Sequence, residues 1–158
     1  MSNELWRLDA TDQARLIRTG RASAREAVQS SLARLDEVNP YLNAVIQQMA
    51  GEALAAADAA DIKQARGHEL PPLHGVPMTV KVNVDQVGYA TTNGIVAFKD
   101  AIAGEDAPVV ANMRAAGGII IGRTNLPAFS MRAFSDNALH GRTLMQPFPK
   151  GAIRLTRV

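Results

Sequence analysis

The chain has 158 residues, 47% of them apolar and 20% charged, a composition expected of one globular domain with a sizeable core. A formal net charge of +2 with no dense run of lysine or arginine excludes a nucleic-acid patch, and the lack of cysteine excludes disulfides and thiolate metal sites. No apolar run is long enough to cross a bilayer, and the start M-S-N-E-L-W lacks a secretory leader's basic end and apolar centre, so no membrane contact and a cytoplasmic setting are expected.

The first third reads as helical. Thr11 is placed to cap a helix that presents Ala14, Leu16 and Ile17, and Gly20 can end it in the left-handed conformation. Ser23-Ala24-Arg25-Glu26 is a capping box, a role that accounts for Ser23 without catalysis. Val28, Leu32 and Leu35 then recur at helical spacing, with Arg25, Arg34 and Asp36 toward water, until Asn39-Pro40 is expected to stop the helix. A strand over 42–46 follows, with Leu42, Ala44 and Ile46 on one face. The alanine-rich stretch 51–66 predicts a helix with Leu54, Ala57 and Ala65 inward, and 67–72 is a short linker with no domain boundary.

The chemistry concentrates after Pro71. The run P-P-L-H-G-V-P-M-T-V-K passes from turn formers into a strand ending at Lys81, which lies between Val80 and Val82. Either the ammonium is withdrawn from water, which lowers a lysine's pKa and makes it a base, or the stem lies along the surface and the charge stays solvated. Thr91-Thr92-Asn93-Gly94 forms a loop that either touches substrate or orders itself by hydrogen bonds. A helix over 108–115 opens on Pro108, a strand over 118–121 follows, and a short helix comes after Pro127. This alternation predicts an α/β protein with helices covering a sheet. Gly117 and Gly118 follow a helix and precede a strand, the reverse of a phosphate-binding loop, so no nucleotide site is expected. His68, His74 and His140 have no metal-ligand spacing, and neither a metal nor any other cofactor is expected. His74 is read as holding its turn in shape, and Ser130 and Ser135 lie in no nucleophile motif and are read as structural.

Taken together, P-L-H-G-V-P, the strand to Lys81, T-T-N-G, D-A-P-V-V, A-G-G-I-I-I-G-R-T-N-L-P-A-F-S-M-R and S-D-N-A-L-H-G-R-T-L resemble the amidase signature family in order and spacing over 73–144. Its bacterial and plant hydrolases of small amides such as indoleacetamide are the most similar. The resemblance implies N-terminal helices followed by a partial mixed sheet covered by helices, an incomplete amidase signature fold. It also implies a small-molecule amide as substrate, with a serine attacking the carbonyl, a second serine on a cis peptide relaying the proton, and Lys81 as the terminal base. Thr91, Thr92 and Asn93 would border the site.

Two departures stand out. The family commonly has an aspartate after its lysine, where this chain has Val82. Beyond Leu144 the resemblance stops: the glycine and serine rich loop does not follow, and 145–158 reads as an unrelated tail, expected from a shifted reading frame or truncation. With both serines missing, the expectation is an inactive amidase-family chain, the alternative being a non-catalytic interaction module of the same fold. The Lys81 strand and the strand over 119–121 are expected to expose apolar faces and unpaired edges, and so to promote self-association.

Overall fold

The computed structural model describes residues 2–144; the expectations for the tail 145–158 lie outside the described residues. After a 3₁₀ segment, Ser2–Arg7, come α1 (Ala10–Arg18), α2 (Ala24–Leu42), β1 (Val45–Gln48), α3 (Ala50–Ala65), β2 (Pro77–Lys81), α4 (Pro108–Ala115), β3 (Ile119–Thr124) and a small hairpin of β4 (Asp136–Asn137) and β5 (Gly141–Arg142).

The helix boundaries follow their caps. Asp9, not Thr11, caps α1: its carboxylate accepts from the Asp12 amide at 2.8 Å, while Thr11 falls inside the first turn. Both halves of the expected box cap α2, Glu26 N to Ser23 Oγ at 3.0 Å and Ser23 N to Glu26 Oε2 at 2.8 Å. Pro40 does not stop this helix. It sits in the last turn, where it gives up the one helical bond its N–H would have made to the Asp36 carbonyl, and α2 still runs on to Leu42 before Asn43 turns left-handed at φ 51°. Asn39 holds the exit, its Oδ1 accepting from the Ala44 and Val45 amides at 2.9 Å each. The strand expected at 42–46 therefore starts at Val45, and Val45 is its buried residue rather than Leu42, Ala44 and Ile46. In α3 the inward residues are Ala53 and Ala57, with Leu54 half-buried and Ala65 exposed.

The strands form a mixed sheet in the order β1-β3-β2, with β1 antiparallel and β2 parallel to β3. The fold class is α/β, with helices before and around a small mixed sheet, as expected. β3 is central, which corrects the expected exposure of its apolar face. Ile119 and Ile121 pack with Ala24, Val28 and Leu32 of α2 and Ala53 and Ala57 of α3, while Ile120 turns the other way onto Met49, Val80 and Val110. Alternation sends successive isoleucines to opposite faces, and both faces are covered. The outer edges of β1 and β2 have no strand beside them among the described residues.

The join between α4 and β3 fixes the turn that leads into β2. Gly117 has φ +88°, and a Cβ there would stand 2.6 Å from Pro71 Cγ and 2.8 Å from His74 Cα. Only glycine allows both the left-handed backbone and this approach. Leu73 N donates to Ala116 O at 2.8 Å and Gly75 N to Gly117 O at 2.9 Å, so the P-L-H-G turn is built on the end of α4. His74 is buried there, with Nε2–H donating to Ala60 O at 3.1 Å, and burial holds its pKa below the ordinary value.

Candidate active site

Parallel pairing of β2 with β3 brings their carboxyl ends together, Lys81 opposite Thr124. The chain leaving β3 then makes a 3₁₀ turn, Ala128–Ser130, which folds back over the end of β2. Lys81 is exposed. Val80 and Val82 are buried, but alternation points them to the opposite face, so apolar neighbours along a strand do not enclose the lysine between them. Of the two arrangements open to Lys81, the structure shows the exposed one, not the withdrawn one. Nζ instead donates to Ser130 Oγ at 3.2 Å, and Asn83 Nδ2 approaches the same oxygen at 3.5 Å. Ser130 has therefore a specific partner that its spacing in the sequence did not bring to it. Ser135 does not reach the site through its hydroxyl; its carbonyl accepts from Thr143 N at 2.9 Å in the hairpin.

The T-T-N-G loop lies against the same turn. Asn93, left-handed at φ 49°, accepts from Phe129 N through its carbonyl at 3.0 Å and so sets the approach to Ser130. Thr92 is buried; its Oγ1 accepts from Gly94 N at 3.2 Å and shares a hydrogen bond with His140 Nε2 at 2.9 Å. Burial lowers the His140 pKa, and the charge of Arg123 adds to the effect. Thr91 Oγ1 donates to Asp85 Oδ1 at 2.5 Å. All three loop residues are thus hydrogen-bonded to other parts of the fold, and a cleft of ≈ 400 Å³ beside the loop is lined in part by Gln47, Val82, Tyr89, Thr92, Lys99 and His140.

One organising side chain had no individual signal in the sequence. Arg123 of β3 is fully buried and has no salt-bridge partner among the described residues; Nη1 donates to Ala90 O at 2.7 Å and Nη2 to Val84 O at 2.9 Å and Val82 O at 3.3 Å. Burial pushes the guanidinium below its ordinary pKa, with Asp85 pulling the other way. Arg123 thus closes the loop that leaves Lys81, and Val82, which stands where an aspartate was expected, is packed beneath it with its carbonyl on the guanidinium. Asp106 holds the far side of this loop, accepting from Val87 N at 2.9 Å while paired with Arg114 at 2.9 Å. The β4–β5 hairpin is tied in by Asn137, whose Nδ2 donates to Asn125 Oδ1 and Leu126 O at 2.8 Å each.

The amidase family profile matches residues 26–148. The chain belongs to the amidase family. Within that family it is 54% identical over 140 residues to an indoleacetamide hydrolase of Bradyrhizobium diazoefficiens, a match covering 89% of this chain and 27% of the relative. It is 36% identical over 136 residues to an acylamidase of Rhodococcus erythropolis, covering 86% of this chain and 28% of the relative. A bacterial aryl acylamidase of the amidase signature enzymes superposes with a TM-score of 0.81 at 29% identity, over 86% of this chain and 29% of that one. The chain thus spans about a quarter of the length of the curated relatives it matches. Among the described residues no group of His, Cys, Asp or Glu is placed to hold a metal, and no helix is long and apolar enough to cross a membrane.

Proposed function

We propose that this chain carries the lysine arm of an amide hydrolase that splits a small carboxylic amide into acid and ammonia. The observation that carries this reading is the 54% identity to the Bradyrhizobium indoleacetamide hydrolase across 140 residues, Lys81 included within the shared motif order. Lys81, at the carboxyl end of a parallel strand and open to the surface, is the base that takes a serine's proton. Thr91, Thr92 and Asn93 order the neighbouring loop rather than touch the reacting amide, a role supported by the bonds to Asp85, His140 and Phe129. The glycine and serine rich loop that supplies relay serine and nucleophile in the family pattern is not among these 158 residues. Amide hydrolysis through the serine relay therefore needs residues from outside this sequence, because nucleophile, base and oxyanion donors act as a unit.

The test is a chimera in which this chain replaces the matching stretch of the Bradyrhizobium enzyme, assayed for ammonia release from indoleacetamide. The chimera is expected to turn over and Lys81→Met to fall at least about 1000-fold, while the chain alone releases no ammonia. A folded, inactive chimera, or one indifferent to Lys81→Met, sinks the proposal.

A further inference from the structure

The fold places a serine where the expected relay does not need one. Ser130 is exposed, its Oγ receives Nζ of Lys81 at 3.2 Å and Nδ2 of Asn83 at 3.5 Å, and the other carboxamide atom, Asn83 Oδ1, is buried without a partner among the described residues. The backbone delivering it is unusual. Phe129 and Ser130 are consecutive non-glycine residues in the left-handed region, at φ 53° and 59°, held by the Phe129 N to Asn93 O bond. Two such residues in succession hold a costly conformation that the surrounding structure must enforce, a pattern that concentrates at functional sites. Apolar surface lies alongside: the Phe129 ring meets Phe98 edge to face at 6.1 Å, and both rings and Met131 are exposed. A hydroxyl, an amine within reach of it, a second donor on the same oxygen and an aromatic shelf make a small acyl-accepting site.

We propose that Ser130 and Lys81 form a nucleophile and base pair that accepts acyl groups from activated esters of small aryl alcohols. Lys81 Nζ takes the Ser130 Oγ proton along the 3.2 Å line between the two atoms. The Oγ–H bond breaks as Oγ bonds to the acyl carbon. The ester's own C–O bond then breaks, its electron pair leaving with the aryloxide, to which Lys81 returns the proton. Water then gives a proton to the same amine as its oxygen bonds to the acyl carbon; the bond from that carbon to Ser130 Oγ breaks, and Lys81 returns the proton to Oγ, leaving a carboxylic acid and the free serine. The pair shares Lys81 with the amide-hydrolase reading but needs none of the serines that reading draws from outside the chain.

The experiment treats the full chain with 4-nitrophenyl acetate at mildly alkaline pH and locates the acetyl group by peptide mass spectrometry, with nitrophenolate release followed in parallel. Acetyl on Ser130 is expected, reduced about 100-fold in Lys81→Met and absent in Ser130→Ala. Lys81→Arg, which keeps the charge but cannot serve as a base, gives the same loss should Lys81→Met not fold, and Ser130→Cys restores labelling at position 130. Acetyl confined to Lys81 or spread over surface amines overturns the proposal, as does labelling of Ser130 that is indifferent to both lysine variants. The ammonia-release chimera fails or succeeds independently of this label, so the two readings can be overturned one at a time.

Discussion

Replacing Arg123 by methionine keeps most of the side chain's length and removes the one group that gathers the carbonyls of Val82, Val84 and Ala90. Hydrogen bonds to a charged donor contribute about 1.5–3 kcal/mol each, and a buried acceptor left without a donor costs about 1–3 kcal/mol. The bonds at 2.7 and 2.9 Å count fully, and the third, at 3.3 Å, counts less. Against this stands the relief of no longer holding a guanidinium in a fully buried position, its Nε unpartnered among the described residues. The balance is a loss of about 3–5 kcal/mol, a large share of the roughly 5–15 kcal/mol that stabilises a domain. Urea unfolding of wild type, Arg123→Met and Arg123→Lys measures it, the lysine variant falling between because a point charge cannot reach all three oxygens. Native-state hydrogen exchange locates it: the amides of Val84, Tyr89 and Thr91, bonded to Lys81 O, Gln86 O and Ala101 O, should exchange faster in Arg123→Met than the change in global stability explains. A methionine variant within about 0.5 kcal/mol of wild type, with these amides unchanged, refutes the assignment of Arg123 as the clasp of the Lys81 loop.

The imidazoles of buried His74 and half-buried His140 have folded pKa values below the ordinary 6.5, so between those values the unfolded chain binds more protons than the folded one. Their contribution is complete above pH 6.5 and is lost as pH falls through the lowered values, so the melting temperature should be lower at about pH 5 than at about pH 7.5, with a shallower fall in His140→Gln. A melting temperature that holds or rises on acidification contradicts this. The open edge of β2 and the exposed side chains of Val96, Phe98, Met131 and Phe134 predict concentration-dependent association in light scattering, reduced in Met131→Lys combined with Phe134→Lys. A monodisperse monomer throughout the accessible concentration range excludes it.

Local chemistry was enough to determine much of this protein from its sequence. The Ser23–Glu26 box, Pro108 in the first turn of α4, the glycine turn before β3 and the alanine helix all depend on residues a few positions apart, and all appear where their side chains dictate. The ordered motifs from P-L-H-G to H-G-R-T-L likewise pointed to the amidase family before any contact was known. What tertiary structure decided was sidedness and company. Val80 and Val82 flank Lys81 in the chain but point away from it, so its exposure depends on which face of the sheet the helices cover. Pro40 does not end α2; the helix stops two residues later, where Asn43 turns left-handed and Asn39 accepts from the Ala44 amide. Ser130 meets Lys81 across 49 residues, and Arg123 meets carbonyls 33 to 41 residues away, only because β2 and β3 run parallel and side by side. Strand pairing is a choice among distant partners made by the burial of whole faces, and no periodicity along one strand encodes which side chains it will bring together at the sheet's carboxyl end.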